Sequence, residues 1–309
     1  MYIRVLGSAA GGGYPQWNCN HPNSRRARQH DPAAKPRTQS SIAISADGEN
    51  WFLCNASPDL RQQINDNDVL QPRQGLRHSP IQGVVLTNAD VDHVAGLLTL
   101  RESQPLRIYA TQRVLDVLAA NTIFNVLNPE FVARQAMRLE EPVALQKTDG
   151  SPAGLRVTPF AVPGKVALWL EDAGKGDNFG SVEEDTIALK VEDSSSGKSF
   201  FYVPGCAAMT DALAARLRGA ELVFFDGTLW TDDEMIRDGV GVKTGKRMGH
   251  MSVSGPDGTM QALGDLDIAR RIFIHINTTN PILLEDSEER KQVEAAGWEV
   301  SWDGMAVEL

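Results

Sequence analysis

Apolar residues recur along the chain as short runs rich in Val, Ile and Phe, closed by Gly, Asn or Asp. Such runs read as buried strands, and the more widely spaced apolar positions between them read as helices. The strand readings are Tyr2 to Leu6, Ser40 to Ala46, Trp51 to Asn55, Ile81 to Leu86, Leu106 to Ala110, Leu155 to Phe160, Ala167 to Leu170, Thr186 to Val191, Phe200 to Val203, Glu221 to Phe225, Arg271 to Ile276, Trp298 to Trp302 and Met305 to Leu309. Ser40 to Ala46 and Trp51 to Asn55 flank Asp47-Gly48, the signature of a hairpin. Ser57-Pro58 opens a helix with Ser57 as N-cap. Val94 to Arg101 and Arg113 to Ala120 are spaced as helices, and residues 121–148 read as partly helical. Residues 172–178 read as an exposed, mobile loop. The strands come in two runs with helices between or after them. That order predicts an α/β sandwich of two mixed sheets with helices outside (αββα), in a single domain spanning residues 1–309.

The candidate chemistry lies at strand exits. The buried run ending at Leu86 passes into Thr87-Asn88-Ala89-Asp90-Val91-Asp92-His93. Open α/β folds bind ligands at the carboxyl ends of strands. Asp90, Asp92 and His93 are donors suited to a divalent cation such as zinc, iron or manganese. The competing explanation is a polar loop whose Asp caps the next helix. His275, at the exit of the last strongly apolar strand, is a further candidate ligand. Asp226 also ends a strand. Asp59 is either an orienter of a ligand or a first-turn helix acid.

Composition narrows the function classes. The formal net charge of −10 argues against unspecific binding to nucleic acid or an anionic membrane surface. The basic stretch from Arg25 to Arg37 reads as a solvated arm. Cys19, Cys54 and Cys206 are the only cysteines, too few and too scattered for a disulfide framework. No apolar run reaches the roughly 20 residues of a membrane span, and the N-terminus lacks a signal-peptide pattern. A soluble cytoplasmic protein is expected. The Gly-rich loop Gly7 to Gly13 fits neither common phosphate-binding motif. Cys19 and His21 form a candidate pair for a structural zinc ion, with His30 and Asp31 the nearest further donors, or else belong to an ordinary surface loop.

Thr87 to His93 resembles the Thr-His-x-His-x-Asp-His signature of the metallo-β-lactamase fold. Tyr202-Val203-Pro204-Gly205-Cys206 resembles the strand that carries the metal-bridging Asp. Gly249-His250-Met251-Ser252 resembles a Gly-His-Ser-Thr segment of the tRNA 3′-processing branch, and Phe273-Ile274-His275 the strand with the last ligand. Gly7 to Gly13, together with Pro15-Gln16-Trp17-Asn18-Cys19 and Asn88 to His93, resembles the pyrroloquinoline quinone (PQQ) biosynthesis protein B family. The departures from the signature carry the chemistry. Asn88 and Asp90 stand where the first two histidines would be, Cys206 aligns with the bridging Asp, and Lys165 falls near the third-motif His.

A two-metal hydrolytic centre needs ligands for both ions, about 3.5–4 Å apart. Asp90, Asp92, His93 and His275 are what survives. Two histidines and a carboxylate with open positions match a non-heme iron(II) site. The resemblance implies the same, namely Fe(2+)-dependent hydroxylation of a tyrosine-derived ring. On this reading Asp92, His93 and His275 hold the metal, and Asp90 is a further ligand or an orienter of one. His250 is a general acid or base, or a structural donor. Lys165, Lys243, Lys246 and Arg247 are candidates to neutralise substrate carboxylates, or a solvated set. Other PQQ-pathway proteins and a second copy of the chain are the expected macromolecular partners. The rival readings are a zinc hydrolase of the same fold and a carrier that helps move the quinone out of the cytosol.

Overall fold

The computed structural model describes residues 1–176 and 178–309, so Asp177 of the predicted 172–178 loop lies outside the described residues. Its strands are β1 (Tyr2–Gly7), β2 (Ser41–Ser45), β3 (Trp51–Cys54), β4 (Ile81–Val85), β5 (Leu106–Thr111), β6 (Val132–Met137), β7 (Val143–Gln146), β8 (Pro152–Ala161), β9 (Ile187–Asp193), β10 (Ser199–Val203), β11 (Val223–Asp226), β12 (Arg271–Ile274), β13 (Trp298–Val300) and β14 (Ala306–Glu308). Among the described residues they form two seven-stranded sheets, ordered β14-β1-β2-β3-β4-β5-β6 and β13-β12-β11-β10-β9-β8-β7. Both sheets are mixed. β3 to β6 are parallel, as are β10 to β13, and the flanking strands pair antiparallel.

The layering follows from strands buried on both faces, which read as continuous apolar runs. Phe52, Val85 and Tyr109 of the first sheet and Leu189, Phe224 and Ile272 of the second meet in the central layer. The alternate positions face outward. Leu53, Val84 and Ile108 pack under Leu60, Val114 and Leu118 of the helices Leu60–Asp66 and Gln112–Ala120. On the other side Val223, Phe225 and Phe273 pack under Leu213, Leu217 and Val293 of the helices Asp211–Leu217 and Glu288–Ala295. The αββα sandwich expected from the strand order is the fold observed. No helix among the described residues is long and apolar enough to cross a membrane.

Four local expectations are corrected. Residues 121–148 hold a 3-10 turn and two strands, β6 and β7, rather than further helix. Both are edge strands with much of their surface exposed, so the apolar signal that marks inner strands is missing. Ala167 to Leu170 is not a strand; Leu168–Leu170 forms a 3-10 turn with Leu168 and Trp169 exposed. The helix after Pro58 starts two residues later than read, with Asp59 at its N-cap position, while the Ser57 hydroxyl bonds Gln63. Val94 to Arg101 is mostly 3-10 helix, over Ala95–Leu100, after a short α-turn at Val91–Val94.

Backbone bonds within and between layers hold the strand exits in place. Ile276 N–H donates to Ser8 and Ala10 N–H donates to Ile276, which ties the β12 exit to the loop after β1. Ala56 N–H donates to the His93 carbonyl at 2.7 Å, and Gly96 N–H donates to Ala56 at 2.9 Å. A Cβ on Gly96 would overlap the Ser57 carbonyl oxygen. The 230–250 segment is anchored by a buried carboxylate, Glu234, which accepts from Trp230 N–H at 2.6 Å and from the Thr279 hydroxyl. Burial pushes its acid up to about 7, against the pull of these two donors.

Two predictions concern this frame. Gly96→Ala should cost about 1–3 kcal/mol in urea unfolding, as expected of overpacking against backbone; an unchanged midpoint would show that the contact relaxes freely. Glu234 keeps its proton in the folded state at pH values where the unfolded chain has lost it, so stability falls as pH rises from about 4.5 through about 7. Glu234→Gln should therefore flatten the melting temperature between pH 5 and 8, and a variant with the wild-type slope would contradict this.

Candidate metal centre

Two strand exits, one from each sheet, bring the ligands together. After β4, Thr87 N–H is held by the Asn55 side chain at 2.9 Å, and the chain turns at Asp90 into the short helix Val91–Val94. That turn places Asp92 and His93 side by side. After β12, His275 takes a left-handed backbone conformation, φ 61°. Such a conformation costs a β-carbon residue of order 1–3 kcal/mol and persists only when its surroundings impose it. Here the exits of β11 and β12 impose it together, because Gly227 N–H donates to Ile274 and the Thr228 hydroxyl lies 2.9 Å from the His275 carbonyl.

Asp92, His93 and His275 present ligand atoms that all lie within 4.8 Å of one another. His275 Nε2 is 3.2 Å from Asp92 Oδ2, and His93 Nε2 is 3.8 Å from the same oxygen. The imidazole rings of His93 and His275 are edge to face, with centroids 5.5 Å apart. His93 Nε2 is buried with no hydrogen-bond partner. A buried polar atom left unpaired is costly, and a cation in front of it removes that cost. The donor set fits a borderline divalent ion such as zinc or iron(II). Burial alone would raise the Asp92 acid, but the neighbouring imidazoles of His93 and His275 hold it well below the ordinary range. Burial lowers His93, and Asp92 raises His275 despite its burial. Gly11 from the β1 loop closes over this trio, where a Cβ would stand 3.2 Å from Asp92 Oδ2.

A second group, Asp226, His250 and His275, lies beside the first. Its carboxylate is fully buried and spent on hydrogen bonds. Asp226 Oδ2 accepts from Cys206 N–H at 2.9 Å and faces His250 Nδ1 at 2.7 Å, while Oδ1 accepts from Thr228 N–H and hydroxyl. Burial works against ionisation of Asp226, yet the His250 and His275 rings hold its acid below the usual value. The group acts as support behind His275 and His250, whose rings stack with centroids 5.1 Å apart. A cavity of about 340 Å³ opens in front of both groups, lined by Asp92, His93, His250 and His275 among others.

The other sequence candidates distribute as follows. Asp90 lines the cavity but is not gathered with the ligand atoms; its carboxylate accepts from Leu168 N–H at 3.0 Å and so fastens the 166–171 segment. Lys165 and Lys243 line the cavity wall. Lys165 Nζ is paired with Glu171 at 2.9 Å. Arg247 is also committed to Glu171, through two contacts at 3.1 and 2.7 Å, and stacks on Phe179, so the substrate role expected for it is corrected. Lys246 is not part of the cavity wall.

Cys19 and His21 are not drawn into either ligand group. His21 Nδ1 accepts from Asn23 N–H and its Nε2 faces Asp238 at 3.2 Å, which engages both ring nitrogens. The further donors expected for a zinc site there do not arrive, since the Asp31 carboxylate is held by Arg26 and Ala33. Cys206 is buried with its thiol bonded to the Ala208 carbonyl, and burial pushes that thiol up to about 12. Asp226 and Thr228 were the residues left without a role by sequence reasoning. The signal was present, an Asp-Gly-Thr at the exit of a buried strand, the same signal that marked His275.

A model of the beta-lactamase superfamily domain matches residues 50–276. The chain is 56% identical over 309 residues to coenzyme PQQ synthesis protein B of Xanthomonas oryzae pv. oryzae, covering 100% of both. It is 59% identical over 304 residues to the protein of that name from Gluconacetobacter diazotrophicus, covering 98% of each. Among solved structures, Zn(2+)-bound PqqB from Methylobacterium extorquens superposes with a TM-score of 0.94 at 52% identity, over 100% of both chains. A diphosphatase of the PhnP family, at 20% identity and a TM-score of 0.70 over 100% of this chain and 96% of that one, shares the fold. The chain therefore belongs to the beta-lactamase superfamily and, within it, to the coenzyme PQQ synthesis protein B family.

Proposed function

We propose that this protein acts in PQQ biosynthesis as a mononuclear, iron(II)-dependent hydroxylase of a tyrosine-derived precursor. The observation that carries the reading is the trio of Asp92, His93 and His275, two imidazoles and one carboxylate converging on one point beside an open cavity. That donor set leaves positions free for oxygen and substrate. Bound iron(II) supplies activation of dioxygen for ring hydroxylation, which consumes one O2 and two reducing equivalents from an external donor and releases one water.

The chain's own residues bind, orient and move protons. Asp226 fixes the His250 ring through Nδ1 at 2.7 Å, which leaves Nε2 of this cavity-lining residue to exchange a proton with a phenolic substrate. Lys243 stands in the cavity wall, where a cationic group pairs with a substrate carboxylate, while Lys165 beside it is held by Glu171. The Gly11 loop and the 166–171 segment, fastened by Asp90, narrow the access of water. The Zn(2+)-bound state of the Methylobacterium extorquens relative favours a second reading, a zinc-dependent hydrolase. The carrier role has no such supporting observation.

Two experiments test this reading. Protein reconstituted anaerobically with iron(II) and mixed with a tyrosine-derived phenol, a reductant and O2 should yield one hydroxylated product per O2 consumed. His250→Gln should slow turnover by about 10²–10⁴-fold with little change in iron content. Ester or phosphodiester cleavage by the zinc form without oxygen, with no hydroxylation by the iron form, would replace this reading with the hydrolase. Because the ligands must be deprotonated and His275 gives up a proton shared with Asp92, cation affinity should rise with pH between 5 and 8. Asp92→Asn should weaken binding across that range, and equal affinity in the variant would remove Asp92 from the ligand set.

A further inference from the structure

Asn88 stands where the superfamily signature has its first histidine, and its side-chain oxygen is turned to groups of its own loop. Its Oδ1 accepts from Asp90 N–H at 3.0 Å and lies 2.7 Å from His93 Nδ1. The backbone amide is a donor only, so the atom it meets is the amide oxygen rather than the NH2 group. An oxygen at 2.7 Å from a ring nitrogen requires that nitrogen to carry the hydrogen. The opposite tautomer would set two lone pairs against each other. It would also bury an Nε2–H whose nearest carboxylate oxygen, Asp92 Oδ2, is 3.8 Å away.

Thr228 repeats the arrangement behind the other ligand. Its hydroxyl lies 2.6 Å from Asp226 Oδ1 and 2.9 Å from the His275 carbonyl, two acceptors competing for one hydrogen. His275 Nδ1, 2.9 Å from the same hydroxyl, must therefore bring its own. Each ligand imidazole is thus backed by a neutral acceptor, an amide for His93 and a hydroxyl for His275. His250 Nδ1 meets the Asp226 carboxylate at 2.7 Å and the Thr228 hydroxyl at 3.1 Å.

We propose that Asn88 is a positioning residue that holds His93 as its Nδ1–H tautomer, so that Nε2 presents a lone pair to the cation, and that Thr228 does the same for His275. The inference rests on the single-cation reading above. It implies that exchanging the first signature histidine for Asn converts a ligand into an orienter, which leaves donors for one ion where the signature provides for two.

The test separates the two claims. In ¹⁵N-histidine-labelled, metal-free protein, two-bond ¹H–¹⁵N spectra report the His93 tautomer directly; Nδ1–H is expected, and Nε2–H would overturn the inference whether or not the protein binds metal. Asn88→Leu should shift His93 toward Nε2–H and weaken Zn2+ binding, read by chelator competition, by about 10–100-fold, as for other outer contacts of ligand histidines. Asn88→Asp, which keeps an acceptor oxygen, should restore both the tautomer and the affinity. A merely structural Asn88 would leave the tautomer unchanged in Asn88→Leu, and that result overturns the proposal. Should Asn88→Leu fail to fold, Thr228→Val carries the test through the His275 resonances of the zinc-loaded protein, where loss of the Nδ1–H signal is expected and its persistence contradicts the proposal. A wild-type protein that binds no Zn2+ or Fe2+ would overturn the single-cation reading, while the metal-free spectrum still decides the tautomer.

Discussion

The molecule depends on one electrostatic requirement: a half-buried carboxylate and two buried imidazoles face one another across less than 5 Å, and something positive must sit among them. A shared proton serves between Asp92 and His275. It does nothing for His93, whose Nε2 is left bare. Leaving such a group unpaired away from water costs of order 1–3 kcal/mol. A divalent cation would satisfy all three donors at once.

The donors originate in different layers. Asp92 and His93 belong to the first sheet and His275 to the second, so their separation is set by how the sheets pack through Phe52, Tyr109, Phe224 and Ile272. The exits are then stitched across the layers by Ser8, Ala10 and Ile276. A site spanning two sheets in this way translates errors of packing into errors of ligand distance. It also explains the tight glycines at the seam: Gly11 lies against Asp92 and Gly96 against the backbone that holds His93.

Much of this was legible in the sequence. Inner strands buried on both faces announce themselves as unbroken apolar runs, and Asp92, His93 and His275 stand where such runs end. Edge strands were not legible. β6 and β7 have polar, half-exposed faces, and a pattern that hides half its residues in water does not alternate cleanly. The partition of the basic residues was not legible either. Glu171 is remote in sequence from Arg247, and only the fold reveals that it claims both Arg247 and Lys165. Asp90 was read as a further ligand or an orienter of one, and one oxygen of its carboxylate accepts from Leu168 N–H, a contact that the sequence does not reveal. Asn88 was read as an absence, a lost histidine, because a string of letters does not reveal which atom faces His93.

The measurement that bears most directly on the account is anomalous diffraction from crystals of the protein loaded with one equivalent of Zn2+ or, anaerobically, Fe2+. The account predicts a single strong peak bonded to Asp92 Oδ2, His93 Nε2 and His275 Nε2, with Asn88 and Thr228 outside the coordination sphere. A pair of peaks bridged by a common ligand, or a lone peak held by residues other than these three, would contradict it.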